Sequence, residues 1–548
     1  MVVQTIRESI ETALGKLKIE PVSFTVEHPS DVSHGDYATN VALVAAKQRG
    51  EDPRELAEKV VVALRQAQGD LTLEKVEVAG PGFINFHLAP AFFSQTLAKI
   101  GRAGVDFGRN ERLVGQKVLV EYTDPNPFKE FHIGHLMSNA IGESISRLIA
   151  FSGAEVRRAN YQGDVGVHVA KAIWGKRKEP SAPWGKAYAL GAQAYEEHKE
   201  EIDALNKKIY ERSDEEINEL YDDGRKETLE EFEALYAALG TKFDEYFFES
   251  EAASAGGALV RSRLGEVFAE SEGAVVFPEE RSNLHTRVFL NSQGLPTYEA
   301  KELALAKLKY ERYPYEKSIV ITGNEINEYF KVVHRAMELV YPELAAKTEH
   351  LSHGMLRLPS GKMSSRTGDV ITARSLIDEV KERVLTRMEE PDERVATQVA
   401  VGAIKYMILK QTPGKNIIFD VEQSLSLEGD SGPYLQYTYV RALSVLKKAQ
   451  KDDVRPTTDG QRPEVSLVEQ LLYRFPEVVL EASREYSPHK VVHFLTSLAG
   501  AFNASYAREK IVDGGDATSP YKVALTSATA TVLGNGLSLL GIATPERM

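Results

Sequence analysis

The chain has 548 residues, 43% of them hydrophobic and 27% charged, the proportions of a soluble globular protein long enough for two to four domains. It contains no cysteine, which excludes disulfides, thiolate metal sites and a cysteine nucleophile. With 66 basic and 80 acidic residues the net charge is −14, which argues against a protein that coats nucleic acid non-specifically but leaves room for a local basic groove.

Residues 1–112 read as a small α+β unit. "TIRESIETALGKL" has a helical period, and "DPRELAEKVVVAL" starts from a capping Asp52 followed by Pro53. "KVEVAGPGFINFHL" reads as two short strands around a Gly-Pro-Gly turn. The N-terminal stretch is amphipathic and lacks the apolar core of a secretion signal, and no segment offers the run of about 20 apolar residues that a membrane span needs. A cytoplasmic enzyme is the expectation.

Residues 113–392 alternate buried strands with helices. "KVLVEYT", "EVRRANY" and "SIVITG" are strands, with helices after the first and the third, so the spacing predicts a parallel sheet of the doubly wound, Rossmann-like class. Residues 195–250 interrupt it with a highly charged helical pair, read as a solvated insertion. From 393 to 548 the strand signal disappears. Five helical blocks separated by Pro, Gly and Asp predict an all-α bundle.

Two segments carry chemistry. In "PFKEFHIGHLMSNA" a helix begins near His132, which places His132 and His135 one turn apart at its N-terminus. Unpaired N–H groups and a partial positive charge there suit a phosphate, and Gly134 lets a flat ring lie close to the backbone. Taken alone, two histidines that cap and pack a helix are the ordinary reading of such a pair. Metal-binding histidines come with further ligands, and none is evident. The second segment, "HGMLRLPSGKMSSRTGDVIT", is a loop with two glycines, Lys362-Met363-Ser364-Ser365 and then Arg366. Loops rich in Gly, Ser and Lys close on polyphosphates and stabilise charge that develops in transfer.

A third group is acidic. Glu121 and Asn126 flank the histidine segment, and "GLPTYEAKELALAKL" adds Tyr298, Glu299 and Glu302, with Tyr298 and Glu302 on one helical face. Two carboxylates, an amide and a phenol suit a cationic substrate, since a planar guanidinium binds a carboxylate through two parallel bonds. For any single acid, pairing with a surface lysine is the plainer reading.

The two loop segments together resemble the ATP signatures of class I aminoacyl-tRNA synthetases, and the chain resembles arginyl-tRNA synthetases from end to end. "HGDYATNVAL" with "GPGFINFHL" is similar to that family's N-terminal domain, which contacts the tRNA elbow, and implies contacts from Phe83 and Asn85. "VEYTDPNPFKEFHIGHL" resembles the arginine- and ATP-binding segment. It implies that Glu121 and Asn126 hold arginine, to which Tyr298 and Glu302 of the acidic group are added, and that Lys129, His132, Gly134 and His135 hold ATP. "NYQGDVG" adds Gly163 and Asp164, and the Lys362–Ser365 core completes the nucleotide set, with His132, His135, Lys362 and Lys129 as catalytic residues. "GPYLQYTYVRA", "FNASY" and "LGIATPERM" resemble the helical anticodon-binding domain and imply Tyr437, Asn503 and Tyr506 at the anticodon surface.

The resemblance implies ATP with Mg2+ as a substrate complex, no tightly bound protein metal, arginine and tRNA(Arg) as partners, no membrane and a monomer. It also implies that tRNA must be bound before arginyl-adenylate forms. Three departures stand out. Glu302 replaces the family's usual Asp, Asn324-Glu325 occupy the place of a glutamine pair, and Ser365-Arg366 replace Lys-Ser. Two other readings compete: a class I synthetase for another amino acid or a related nucleotidyl transferase, and a non-catalytic tRNA-binding relative.

Overall fold

The computed structural model describes residues 2–65, 73–278, 284–357, 359 and 371–548, and the chain divides into two units. The first gathers Met1–Gly108, Arg441–Val479 and Phe494–Asn535. Ile6, Ile10, Ala13 and Leu14 recur at helical spacing and form the buried stripe of the helix Val2–Lys16. That stripe shares a core with the helices Val41–Arg49 and Pro53–Arg65 and with Ile84 and Phe86 of a four-stranded antiparallel sheet. Its strand order is Val26–Glu27, Tyr37–Thr39, Phe83–Leu88, Leu73–Ala79. Asp52 caps its helix as expected, Oδ1 accepting from the backbone N–H of Arg54 and of Glu55, both at 2.9 Å. Tyr473 enters the same core, and the Tyr37 hydroxyl donates to Glu477 Oε1 at 2.9 Å. Segments far apart in sequence thus build one unit.

The second unit gathers Arg109–Val440, Leu480–His493 and Gly536–Met548. It holds the predicted parallel sheet, with β1 Lys117–Glu121, β2 Glu155–Gln162, β3 Glu245–Phe248, β4 Lys317–Gly323 and β5 Thr348–His353 in the order β5-β4-β1-β2-β3. After β1 the chain crosses through helix α1, Ile133–Phe151, to β2, while β4 lies on the other side of β1. The strand order therefore reverses between β1 and β4, and the crevice beyond their carboxyl ends is where such sheets bind ligands.

The charged insertion is helical over Lys199–Glu211 and α2, Glu215–Leu239. Two expectations for it are corrected. Its last residues, Glu245–Phe248, are the edge strand β3, a run too short to read as a strand alone. Its helices are also half-buried rather than simply solvated, with Ile202, Leu205, Ile209, Ile217 and Tyr221 in a core shared with Trp174 and Trp184. Helix α3, Glu249–Ser262, follows β3 directly, and α4, Tyr298–Arg312, precedes β4. Helix α5, Asn327–Val340, follows β4.

Beyond 393 the helices are α6 Glu393–Leu409, the single turn Val421–Ser424, Gly432–Lys451, Leu467–Leu472, Phe475–Arg484, Pro488–Arg508 and Ser519–Leu539. The third predicted block is broken between Leu472 and Phe475, and the strand signal does not end at 393. Ile417–Ile418 pairs in parallel with Leu356–Arg357. No helix of the described residues is long and apolar enough to cross a membrane.

One buried carboxylate ties the first half of the sheet together. Glu143 of α1, 2% exposed, accepts the Tyr122 hydroxyl at 2.5 Å, Arg147 Nε at 2.7 Å and Arg158 Nε of β2 at 3.1 Å. Burial pushes its carboxyl up, but Arg147 and Arg158 outweigh burial and hold it below the usual range. Glu143→Ala leaves two guanidinium groups without their anion and is expected to cost about 3–5 kcal/mol. Urea unfolding at pH 7 measures this. The gap from wild type narrows in acid, because a depressed carboxyl pKa stabilises only while the group is ionised.

Candidate active site

The chain leaves β1 through an unusual turn. Thr123 (φ 84°), Asp124 (φ 44°) and Phe128 (φ 69°) are all left-handed, which costs each non-glycine residue roughly 1–3 kcal/mol. Hydrogen bonds hold them there. Thr123 N–H donates to Ser138 Oγ at 2.9 Å, Asn139 Nδ2 donates to Thr123 Oγ1 at 3.1 Å, and Asp124 Oδ1 accepts from Tyr161 N–H at 2.8 Å. The turn delivers residues 129–135 to the start of α1.

There the histidines cap the helix reciprocally. Gly134 N–H donates to His132 Nδ1 at 3.1 Å, and His132 N–H donates to His135 Nδ1 at 3.3 Å. The rings stack, with centroids 3.7 Å apart. A Cβ at Gly134 would lie 2.9 Å from the His132 ring, so the glycine admits the cap itself. Both Nδ1 atoms accept, which leaves the proton on each Nε2. His132 is accessible yet densely surrounded by protein, and burial, reinforced by Lys129, holds it down to about 4. Burial with the neighbouring His132 and Lys129 holds His135 well below the usual imidazole range. At neutral pH the pair therefore presents two uncharged N–H donors at a helix N-terminus.

Lys129 Nζ sits 4.9 Å from the Tyr188 ring centroid, and burial lowers its ammonium to about 8 against the opposing pull of Glu249. Lys362, Met363, Ser364, Ser365 and Arg366 lie outside the described residues. The chain that follows them returns to the site: Ile133 N–H donates to the Ile371 carbonyl at 3.2 Å, and Ala373 N–H donates to that of Phe131 at 2.8 Å.

The acidic residues converge beneath this end of the sheet. Glu121 Oε2 lies 2.6 Å from Lys309 Nζ, both side chains almost wholly buried. Glu302 is 8% exposed. Burial, with Glu121 and Glu249 nearby, pushes it up to about 8 despite Lys309. Asp124 is raised for the same reasons, burial first and then Glu121. A Cβ at Gly163 would fall 2.2 Å from Asn126 Oδ1 and 2.8 Å from Glu249 Oε1, so Asn126, Gly163 and Glu249 meet at one point. Tyr298 opens α4 and is 52% exposed.

Asp164 plays a different part from its neighbours. Its Oδ2 accepts from Tyr221, Arg225 and Ser250 at 3.1, 3.0 and 2.7 Å, and Oδ1 accepts from Ser250 N–H at 2.8 Å. With both oxygens engaged it braces the turn. Asn324 and Glu325 follow β4 in a short 3-10 turn, and Glu325 acts electrostatically on His132.

Sequence reasoning missed Glu249, Lys301, Tyr161, Gln162 and Lys309. Glu249 Oε2 pairs with Lys301 Nζ at 2.7 Å, both buried. The Tyr161 hydroxyl and both amide atoms of Gln162 are buried without a hydrogen-bond partner among the described residues, polar groups that a ligand would satisfy. Of these, Tyr161 and Gln162 carried a usable signal, since both lie within the recognised "NYQGDVG" segment. No cluster of metal-ligating side chains occurs among the described residues.

In the first unit Phe83 is half-buried at the start of its strand and Asn85 is buried within the sheet. Asn503 Oδ1 accepts from Arg441 Nη1 at 2.5 Å, and the same guanidinium lies 4.9 Å from the Tyr506 ring. Tyr506 is 42% exposed. Tyr437, in the second unit, is half-buried on the helix Gly432–Lys451.

A parallel sheet with a histidine-capped helix at its switch point and a buried acidic recess defines a class, and comparison with known proteins gives the class a family. The family model described as tRNA synthetases class I (R), catalytic domain, matches residues 105–421. Those of the arginyl tRNA synthetase N terminal domain and the DALR anticodon binding domain match residues 4–88 and 435–548. The arginine–tRNA ligase of Treponema denticola is 30% identical over 97% of this chain and 96% of its own length, and that of Levilactobacillus brevis 31% identical over 100% and 99%. The arginyl-tRNA synthetase structure from Thermus thermophilus superposes with a TM-score of 0.80 over the whole of both chains at 26% identity. The chain belongs to the arginyl-tRNA synthetases.

Capping and chemistry can be separated at His132. Asparagine is a strong N-cap but offers no imidazole. His132→Asn is expected to keep thermal unfolding within a few degrees of wild type. Its pyrophosphate exchange should fall about 100-fold or more, the loss typical of a transition-state donor. Exchange that stays at the wild-type level in this variant would mean that the histidine only caps.

Proposed function

We propose that the recess beyond β1 and β4 is where this arginine–tRNA ligase joins arginine to ATP. The enzyme charges tRNA in two steps. The arginine carboxylate attacks the α-phosphate, forming the O–P bond of arginyl-adenylate as the bond to pyrophosphate breaks. The 2′-hydroxyl of the terminal adenosine then takes the arginyl group and releases AMP.

The observation that carries the assignment is the meeting of Glu121, Asn126, Glu249 and Glu302 in one buried place next to two neutral imidazole donors. In this reading Glu302 receives the guanidinium and Glu121 with Asn126 the α-amino end. His132 and His135 donate Nε2–H to the phosphates over Gly134, with Lys129 beside them. Lys362, with Met363, Ser364 and Ser365, takes the charge that develops on pyrophosphate, and Arg366 adds to it. Positioning and electrostatic stabilisation account for the rate. Mg2+ enters with ATP rather than on a protein site.

Phe83, Asn85, Tyr437, Asn503 and Tyr506 are the residues we assign to tRNA, with Arg441 stacked on Tyr506 as the aromatic-cationic element that suits a splayed base. Residues 1–112, 113–392 and 393–548 are assigned to the tRNA elbow, the catalytic reaction and the anticodon. A cytoplasmic location accords with the absence of cysteine. We assign a monomer, which sedimentation of the free enzyme tests.

ATP–pyrophosphate exchange with each amino acid, with and without tRNA, tests the assignment. Arginine-specific exchange that requires tRNA supports it, and exchange with another amino acid removes it. Glu302→Gln should raise KM for arginine about 10–100-fold, the loss of a charge-assisted contact worth roughly 1.5–3 kcal/mol. Wild-type KM should also depend on pH. Glu302 titrates at about 8, so at lower pH a cationic guanidinium binds only by expelling its proton. KM is therefore expected to fall, by at most about tenfold per unit, as pH rises from about 6 to 8. A flat profile would mean that Glu302 is already ionised or lies outside the site.

A further inference from the structure

Helix α4 lays three side chains along one face. Tyr298, Glu302 and Lys309 follow one another at steps of four and seven residues, close to whole turns. Tyr298 stands exposed at the first turn, and Lys309 is 2% exposed near the last. The Lys309 ammonium, 2.6 Å from Glu121 Oε2, faces Glu121 from β1, Asp124 from the turn behind it, Glu302 from its own helix and the Tyr315 hydroxyl from the segment before β4. Glu121 forms the ion pair with this ammonium, while Asp124 and Glu302 act on it electrostatically from close by. Beside Lys309, among α4, α5, β4 and β5, lies a small cavity of about 20 Å³, room for one water-sized group, whose lining includes Lys309, Tyr315, Ser318, Thr348 and His350.

We propose that Lys309 is an internal stand-in for the substrate cation: in the empty pocket its ammonium holds the Glu121 carboxylate that the α-ammonium of arginine takes, and arginine drives it into the adjoining cavity. The inference rests on the reading of this recess as the arginine pocket. Two ammonium groups cannot share one buried carboxylate without strong repulsion. Lysine carries its charge as a point on a flexible four-carbon stem, so it can move where a planar guanidinium would be locked. The hydroxyl oxygens of Ser318, Thr348 and Tyr315 give the displaced ammonium acceptors, and Glu302, ionised by the incoming guanidinium, keeps the pocket's charge balanced.

Such a stand-in competes with substrate. Arginine then binds only the fraction of enzyme whose Glu121 is free, and apparent affinity drops by that fraction. A lysine that merely positions Glu121 has the opposite effect, because its removal would weaken arginine binding.

The test uses the full-length enzyme with saturating ATP and tRNA, reading KM for arginine in pyrophosphate exchange for Lys309→Met and Lys309→Arg. If Lys309 holds Glu121 in nine molecules of ten, Lys309→Met lowers KM about tenfold. Lys309→Arg grips the carboxylate through two N–H groups and raises it. A Lys309→Met protein whose KM is raised or unchanged overturns the proposal. Should that variant fail to fold, Lys309→Arg decides alone, and a KM at or below wild type overturns the proposal. Glu302→Gln measured alongside separates the two levels. If it leaves KM unchanged, the pocket assignment itself fails and the stand-in with it. If it raises KM while Lys309→Met does not lower it, only the stand-in fails.

Discussion

The backbone between Glu121 and His135 is the constraint on which the site depends. A parallel strand must end, and the next helix must begin with its N–H groups turned toward the crevice. This chain makes the connection with Thr123 and Asp124 in left-handed conformations that neither residue favours. Ser138, Asn139 and the Tyr161 amide hold that turn from α1 and β2. Because the same turn carries Glu121 at its start and the histidine cap at its end, its rigidity sets the distance between the acidic recess and the helix end proposed to bind phosphate.

Electrostatics in the recess follow from burial rather than from composition. Asp124, Glu302 and Lys309 are crowded against Glu121 where water screens poorly, so the ionisation of these three depends on their neighbours. Such a cluster is costly to build and is retained where charge recognition matters. The histidines invert the usual expectation for an anion site. They are held neutral, so the contribution proposed for them is directed hydrogen bonding backed by the helix end rather than net charge.

An acidic protein that binds tRNA is consistent with this picture. Recognition of folded RNA draws on shape, stacking and local cations, and the Arg441–Tyr506 pair, anchored by Asn503, is the group proposed for it in a chain of net charge −14. The N-terminal sheet and parts of the C-terminal helices meet in one unit through Tyr473 and Glu477. The helical insertion likewise contributes buried surface and an edge strand to the catalytic unit, where its charge density suggested a solvated appendage.

Local pattern determined a great deal here. The strands β1, β2 and β4, the start of α1 at His132, the Asp52 cap and the C-terminal helices depend on hydrophobic period and capping chemistry, which act between near neighbours in the chain. Glu121, Asn126 and Glu302 were visible as acids and an amide near a recognisable segment. Glu249, Lys301 and Lys309 were not, because an acid at the start of one helix and two lysines on another look like surface charges until the sheet buries them. Strands β3 and β5 escaped for related reasons: four residues are too few to read as a strand, and "TEHLSH" has no apolar run, so both acquire strand character only by pairing with β2 and β4. Residue type and spacing thus set which chemistry was available. The tertiary structure alone decided which charges face one another without water between them, since that depends on contacts between segments up to about 200 residues apart, such as Glu121 and Lys309.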